Sequence, residues 1–260
     1  MLEKVKKLMV KHVLILGGTG EARELAQRIN GVIGKKIKIT TSLAGIRSTP
    51  PNLPGRIRIG GFGGVKGMKT YLSKKAVDLI IDATHPFSKI ISNHATIACR
   101  SVKDGDIPRL QLIRPLWRIP SSAIWIEVDN LNAAATYLQK IAQRVFLTTG
   151  IRGLNNFSNI GNLWFLVRLI DRPKTILPLK NFQLITGRPP YTLEDEQEIL
   201  AQHSIDTLVA KHAGGSSTEA KILAAAKSGV RIVLIRRPTP EPGPVAETID
   251  EALTWIKEKI

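Results

Sequence analysis

One cysteine in 260 residues, Cys99, excludes an internal disulfide framework and fits a reducing compartment. Its neighbours Ile97 and Ala98 place it in an apolar helical pattern, as a buried structural thiol. Aromatic residues are only 5% of the chain and do not interleave with arginine as a base-stacking platform requires. Zinc-finger spacing, an RNA-binding signature, a clear helix-turn-helix and any cluster with metal-ligand spacing are all missing. No apolar run reaches bilayer-spanning length. The lysine-rich segment 1–9 lacks the apolar core and cleavage site of a signal peptide, and Met9 is an alternative start. A cytoplasmic protein with no membrane partner is expected. Acidic residues are scarce: 21 against 38 Lys and Arg, a net charge of +17.

What is there is a chain 43% hydrophobic, ample for a buried core and long enough for one large domain or two small ones. The positive charge suits an anionic partner: nucleic acid, a membrane surface or a polyanionic small molecule. Its basic residues are dispersed, and the densest group, Lys4, Lys6, Lys7 and Lys11, is terminal. That distribution also suits an ordinary basic surface, or a field that steers a polycarboxylate substrate.

Short β-rich runs alternate with helical patterns, which is how parallel sheets of βαβ units are written. Strands are expected at 12–16, 36–41, 56–59, 77–82 and 108–113, with helices at 21–29, 67–75 and 90–102. The last of these helices is expected to bury Ile90, Ile91, His94, Ile97 and Ala98. Residues 116–129 read as a transition. A second set follows, with helices at 133–142, 194–203, 217–228 and 246–256 and strands at 144–148, 164–167, 207–211 and 231–235. The expected fold class is α/β: two Rossmann-like domains, 1–120 and 121–260, with mainly parallel sheets and an interdomain cleft.

The residues that carry chemistry stand where expected strands end, which is where open α/β sheets bind ligands. Gly17, Gly18 and Thr19 lie between strand one and the first helix, and such a turn offers helix N-terminal N–H groups to a phosphate. The stretch departs from G-x-G-x-x-G, with Arg23 at the third glycine position, so a plain tight connection is the alternative. Strand two leads into Ser42 with Arg47 beyond. Hydroxyls and an arginine stand where an NAD-binding fold carries an acid, which suits the 2′-phosphate of NADP; Arg47 reads equally as a solvated loop cation. Gly60-Gly61-Phe62-Gly63-Gly64 is flexible enough to lie flat on a ligand, with Phe62 as core anchor or lid. In Asp82-Ala83-Thr84-His85-Pro86-Phe87, Pro86 turns His85 away from helical geometry. Asp82 either orients His85 or caps the next turn. His85 donates a proton, binds a carboxylate, or is a satisfied loop histidine.

In the second half, Thr148-Thr149-Gly150 ends a strand, with Arg152 two residues on, as a second candidate anion loop. Another strand ends in Lys211-His212-Ala213-Gly214-Gly215-Ser216-Ser217, which suits a phosphate or carboxylate and offers Ser216 or Ser217 as a helix N-cap. Arg236 and Arg237 follow the last strand and face either a ligand or solvent.

Taken in order, GGTGEA (17–22), SLAG (42–45), GGFGG (60–64), DATHPF (82–87), RPLW (114–117), LTTG (147–150), the 211–215 loop and RRP (236–238) resemble the precorrin-6A reductase family of cobalamin biosynthesis, its cobalt-precorrin branch included. The resemblance runs over about residues 11–256 and departs in two places: Ile46 stands between SLAG and Arg47, and the later loop reads KHAGG. It implies a two-domain reductase that uses NADPH to reduce one C=C bond of a carboxylate-rich tetrapyrrole, turning (cobalt-)precorrin-6A into (cobalt-)precorrin-6B. It also implies transient contact with other enzymes of the pathway, and no nucleic-acid partner. On this reading the cofactor contacts are Gly17, Gly18, Thr19, Ser42, Arg47, Gly61, Phe62, Gly63 and Thr84. The substrate contacts are Thr149, Arg152, Lys211, Gly214 and Ser216, with His85 as proton donor or substrate contact. Two other classes use the same features: a non-catalytic nucleotide-binding regulatory module, and a nucleic-acid-binding protein, which requires a contiguous basic face.

Overall fold

The computed structural model describes residues 10–34, 37–45, 52–100 and 105–260. Contacts group the chain into two compact units, Met1–Arg114 with Pro238–Ile260, and Pro115–Arg237. The first holds β1 (Lys11–Leu16), α1 (Gly20–Val32), β2 (Ile37–Leu43), β3 (Arg56–Ile59), α2 (Gly64–Lys74), β4 (Leu79–Asp82), α3 (Lys89–Cys99) and β5 (Arg109–Leu112). The second holds β6 (Trp125–Val128), α4 (Leu131–Ile141), β7 (Arg144–Leu147), a 3-10 helix (Ile151–Phe157), β8 (Trp164–Leu169), β9 (Phe182–Thr186), α5 (Leu193–Gln202), β10 (Thr207–Lys211), α6 (Ala220–Lys227) and β11 (Arg231–Ile235). The chain then returns to the first unit as β12 (Val245–Ala246) and α7 (Ile249–Lys259).

That return is where the units differ from the expected division at 120/121, which leaves the whole C-terminus in the second half. β12 pairs in parallel with β5, and α7 packs its Leu253 and Ile256 into the core beneath α1. Both sheets are six-stranded, in the orders β3-β2-β1-β4-β5-β12 and β9-β8-β7-β10-β11-β6, and every pairing is parallel. The first is the 3-2-1-4-5-6 order of dinucleotide-binding folds, and the second has the same arrangement except that its sixth place is filled by β6. The sixth place comes last in the chain in the first unit and first in the second, so in strand order the units are circular permutations of one another.

The centre of the first sheet explains its sequence. Val13 to Leu16 are at most 1% exposed. Val13 and Ile15 face α1 and α7, while Leu14 and Leu16 face α2 and α3. A strand covered on both faces reads as a continuous apolar run, and each such side chain contributes about 1.5–3 kcal/mol on burial. His12 is buried beside them, with Nδ1 on the Lys75 carbonyl oxygen (2.9 Å) and Nε2 on the Thr40 hydroxyl (2.8 Å). Burial lowers its pKa. Asp78, awkward inside an expected strand at 77–82, precedes β4 and accepts from the His12 N–H (2.8 Å) and Lys11 Nζ (2.9 Å).

The expected face of α3 is corrected in part: Ala98 is buried and Ile91 packs on the core as expected, but the other isoleucines are not. Ile90 is 74% and Ile97 44% exposed, and the buried side chains are Ser92, Ala95, Thr96, Ala98 and Cys99. Small residues let α3 approach Met68 and Leu72 of α2, so fit rather than hydropathy selects the inward stripe. The Cys99 thiol is buried as expected, and burial pushes its pKa up to about 12.

Candidate functional site

In each sheet the strand order reverses beside its first central strand, between β1 and β4 in one unit and between β7 and β10 in the other. The carboxyl ends flanking such a reversal are the ligand-binding position of this architecture.

In the first unit the Gly17 N–H bonds the Ser42 carbonyl oxygen at 2.9 Å. A Cβ on Gly17 would stand 3.0 Å from Thr41 Cγ2, so glycine keeps the turn flush with β2. Gly18 has φ +120°, with open space where a Cβ would lie, and leaves the backbone approachable. Thr19 caps α1 by accepting from the Ala22 N–H (3.1 Å), and its hydroxyl donates to the Ala83 carbonyl oxygen (2.7 Å). The turn after β1 and the turn after β4 are therefore tied together across the reversal. Glu21, in the first turn of α1, is held by Arg114 at 2.7 Å. A shallow depression here is lined by Gly18, Thr19, Ala22, Arg23, Thr41, Leu43 and Leu53. Buried Thr41 Oγ1 has no hydrogen-bond partner among the described residues. An unmet hydroxyl, a helix N-terminus and a backbone without Cβ fit the phosphate–ribose part of a dinucleotide.

The GGFGG loop hangs from the same strand end, with the Gly60 N–H on the Leu43 carbonyl oxygen (2.9 Å). Arg58 of β3 is in register with Ser42 of β2. It donates to Ser42 Oγ (3.2 Å) and to the carbonyl oxygens of Gly60 (2.5 Å) and Gly61 (2.7 Å). Its guanidinium lies 3.8 Å from the Phe62 ring centroid. Phe62 is an anchor, packed edge-on against Tyr71 at 5.2 Å, and Gly63 opens α2 at φ +79°. Arg47 lies outside the described residues. Among the described residues the cation beside Ser42 is Arg58, which sequence reasoning missed. The alternation Arg-Ile-Arg-Ile was the available signal, because it puts Arg56 and Arg58 on one face of the strand.

Asp82, 2% exposed, orients Thr84. Its Oδ1 accepts from the Thr84 hydroxyl (2.7 Å) and N–H (3.3 Å), and its Oδ2 faces Arg109 Nη1 at 3.9 Å. His85 Nδ1 accepts from the Phe87 N–H at 3.2 Å, so the neutral ring carries its proton on Nε2.

In the second unit Thr148 Oγ1 donates to the Val209 carbonyl oxygen (3.0 Å), joining β7 to β10. Thr149 is buried, and its hydroxyl has no partner among the described residues. Gly150, at φ +80°, turns the chain into the 3-10 helix that carries Arg152. Lys211 ends β10 across the reversal. Burial lowers its pKa first, and the charge of Arg152 lowers it further. Two cations acting on each other across this reversal are chemistry that suits a carboxylate ligand. At Gly214, with φ +70°, a Cβ would overlap the Pro115 carbonyl oxygen. The RPLW segment is clamped there. Trp117 Nε1 donates to the Gly215 carbonyl oxygen (2.8 Å), and its ring stacks on His212 at 5.9 Å with Lys221 Nζ 4.9 Å away. His212 bonds Glu127 Oε1 at 3.1 Å and is 5% exposed, a packing histidine.

The expected serine cap does not form: Ser216 and Ser217 lie in a 3-10 turn (Ser216–Thr218), and α6 starts beyond it with no side-chain cap. The RRP arginines brace loops, Arg236 on Glu127 (2.9 Å) and Asp129 (2.6 Å), and Arg237 on the Ala213 carbonyl oxygen (2.6 Å). Among the described residues no group of His, Cys, Asp or Glu is placed to hold a metal, and no helix is long and apolar enough to cross a membrane.

Residues 12–257 match the family model described as Precorrin-6x reductase CbiJ/CobK. The precorrin-6A reductase of Rhodococcus erythropolis is 41% identical, covering 94% of this chain and 96% of its own. That of Rhodobacter capsulatus is 35% identical over 95% of this chain and 96% of its own. A solved structure of CobK precorrin-6A reductase is similar with a TM-score of 0.88 at 34% identity, covering 96% of this chain and 97% of that one.

Proposed function

The chain belongs to the CbiJ/CobK precorrin-6x reductase family, and from that premise we propose that it reduces one C=C bond of precorrin-6A, giving precorrin-6B, with NADPH as reductant. When bound, NADPH supplies the hydride. The observation that carries the cofactor reading is the paired turn of the first unit, where Thr19 joins the α1 N-terminus to Ala83 beside the open backbone of Gly18. Gly17, Gly18 and Thr19 hold the pyrophosphate. Ser42, Gly61 and Gly63 line the ribose side, and Phe62 anchors the glycine loop that covers it. Thr84, oriented by Asp82, directs a hydroxyl at the strand end, and His85 Nε2 offers the proton that completes reduction.

In the second unit Lys211 and Arg152 bind acetate and propionate carboxylates of the macrocycle, with Thr149, Gly214 and Ser216 shaping the loops around them. The net charge of +17 draws in that polyanion. The one thiol, Cys99, suits a reducing cytoplasm.

Purified protein tests the proposal under anaerobic conditions, with NADPH and either cobalt-free or cobalt-loaded precorrin-6A. The nicotinamide absorbance is expected to fall only when a precorrin is present. A protein that neither binds NADPH nor oxidises it with either substrate overturns the reading.

A further inference from the structure

We infer that Arg58 is the residue by which this chain distinguishes NADPH from NADH, its guanidinium meeting the 2′-phosphate at the carboxyl end of β2. The inference rests on the NADPH reading above and adds its specificity determinant. In dinucleotide folds the ribose nearest the adenine lies over the end of the second strand, where NAD-binding members place an acid on its hydroxyls. Here that strand end, 40–45, reads TTSLAG and carries no carboxylate. The parallel register sets Arg58 opposite Ser42, so both side chains leave the same face of the sheet.

Arg58 is held in place before any ligand arrives. Its Nη1 donates to Ser42 Oγ and the Gly60 carbonyl oxygen, its Nη2 donates to the Gly61 carbonyl oxygen, and the Phe62 ring covers one face of the fork. Nε and the second Nη2 hydrogen make no bond among the described residues. A planar fork with fixed donors left over, half-exposed beside a serine hydroxyl, suits a phosphate dianion, which accepts charge-assisted bonds that a ribose hydroxyl cannot match.

The test is the dissociation constant of NADPH and of NADH, and of 2′,5′-ADP against 5′-ADP, for the wild type, Arg58→Gln, Arg58→Lys and Arg47→Gln. Hydrogen bonds to a charged group imply that Arg58→Gln weakens NADPH and 2′,5′-ADP about ten- to a hundredfold. Its affinities for NADH and 5′-ADP are expected to fall far less, by no more than loosening of the glycine loop accounts for. Arg58→Lys keeps the charge but not the fork, and is expected to recover part of the discrimination. Equal loss of both members of each pair means that Arg58 only shapes the glycine loop, and overturns the inference. Loss of discrimination in Arg47→Gln with Arg58→Gln unaffected overturns it as well. A wild type that prefers NADH over NADPH instead overturns the NADPH reading itself. Arg58→Lys, with unfolding curves for each variant, separates loss of the site from loss of the fold.

Discussion

The Thr19 hydroxyl donates to the Ala83 carbonyl oxygen at 2.7 Å and accepts from the Ala22 N–H at 3.1 Å, so one side chain caps α1 and ties two strand-end turns together. Thr19→Val removes both bonds. It is expected to lower stability by about 1–2 kcal/mol in urea unfolding and to weaken NADPH, whereas Thr19→Ser keeps both. Wild-type affinity in Thr19→Val would detach this link from cofactor binding.

Gly214 meets two constraints, a φ of +70° and a Cβ position that overlaps the Pro115 carbonyl oxygen. Backbone strain alone makes Gly214→Ala costly by about 1–3 kcal/mol, and displacement of the RPLW segment adds to it. Unfolding curves and precorrin-6A turnover measure the effect, and both are expected to fall.

Lys211 has its pKa lowered by burial and then by Arg152, so it loses its charge below the ordinary lysine value of 10.5. The KM for precorrin-6A is expected to rise as pH climbs through that lowered pKa. Arg152→Gln removes the second cause and moves the rise to higher pH, while burial keeps it short of 10.5. A KM–pH profile of each enzyme checks this, and an unmoved midpoint contradicts the pairing.

His12 is kept neutral by burial, its pKa lowered from 6.5. The unfolded chain takes up a proton at 6.5 that the folded chain resists, so stability is fully present above 6.5 and is lost as pH falls through the lowered value. Replacement by Gln is expected to flatten the stability profile on the acid side of pH 6.5.

Removing the His85 imidazole with His85→Ala is expected to lower kcat about a hundredfold or more, as for loss of a general acid, and to leave NADPH affinity near the wild-type value. Unchanged turnover ends its assignment as proton donor.

The central strands were legible because they are covered on both faces. β10 and β11 stand at the residues their apolar runs predict. The strands missed, β6, β9 and β12, are all edge strands. β6 (Trp-Ile-Glu-Val) and β9 (Phe-Gln-Leu-Ile-Thr) are half exposed, and β12 is two residues beyond a run of prolines. Such strands lack a continuous apolar signature because one edge meets no partner. The strand-end loops were legible through their glycines and hydroxyls. Arg58 and Arg109 were not, because a basic residue in a strand looks the same whether it braces a loop or faces solvent. Only the register Ser42–Arg58 and the nearness of Arg109 to Asp82 give them meaning.

Turnover of precorrin-6A with NADPH carrying deuterium at both C4 positions of the nicotinamide, read by mass spectrometry of the tetrapyrrole, tests the central claim most directly. The account predicts one deuterium carried into precorrin-6B for each NADPH oxidised. An unlabelled product, or NADPH consumed without reduction of the macrocycle, would contradict it.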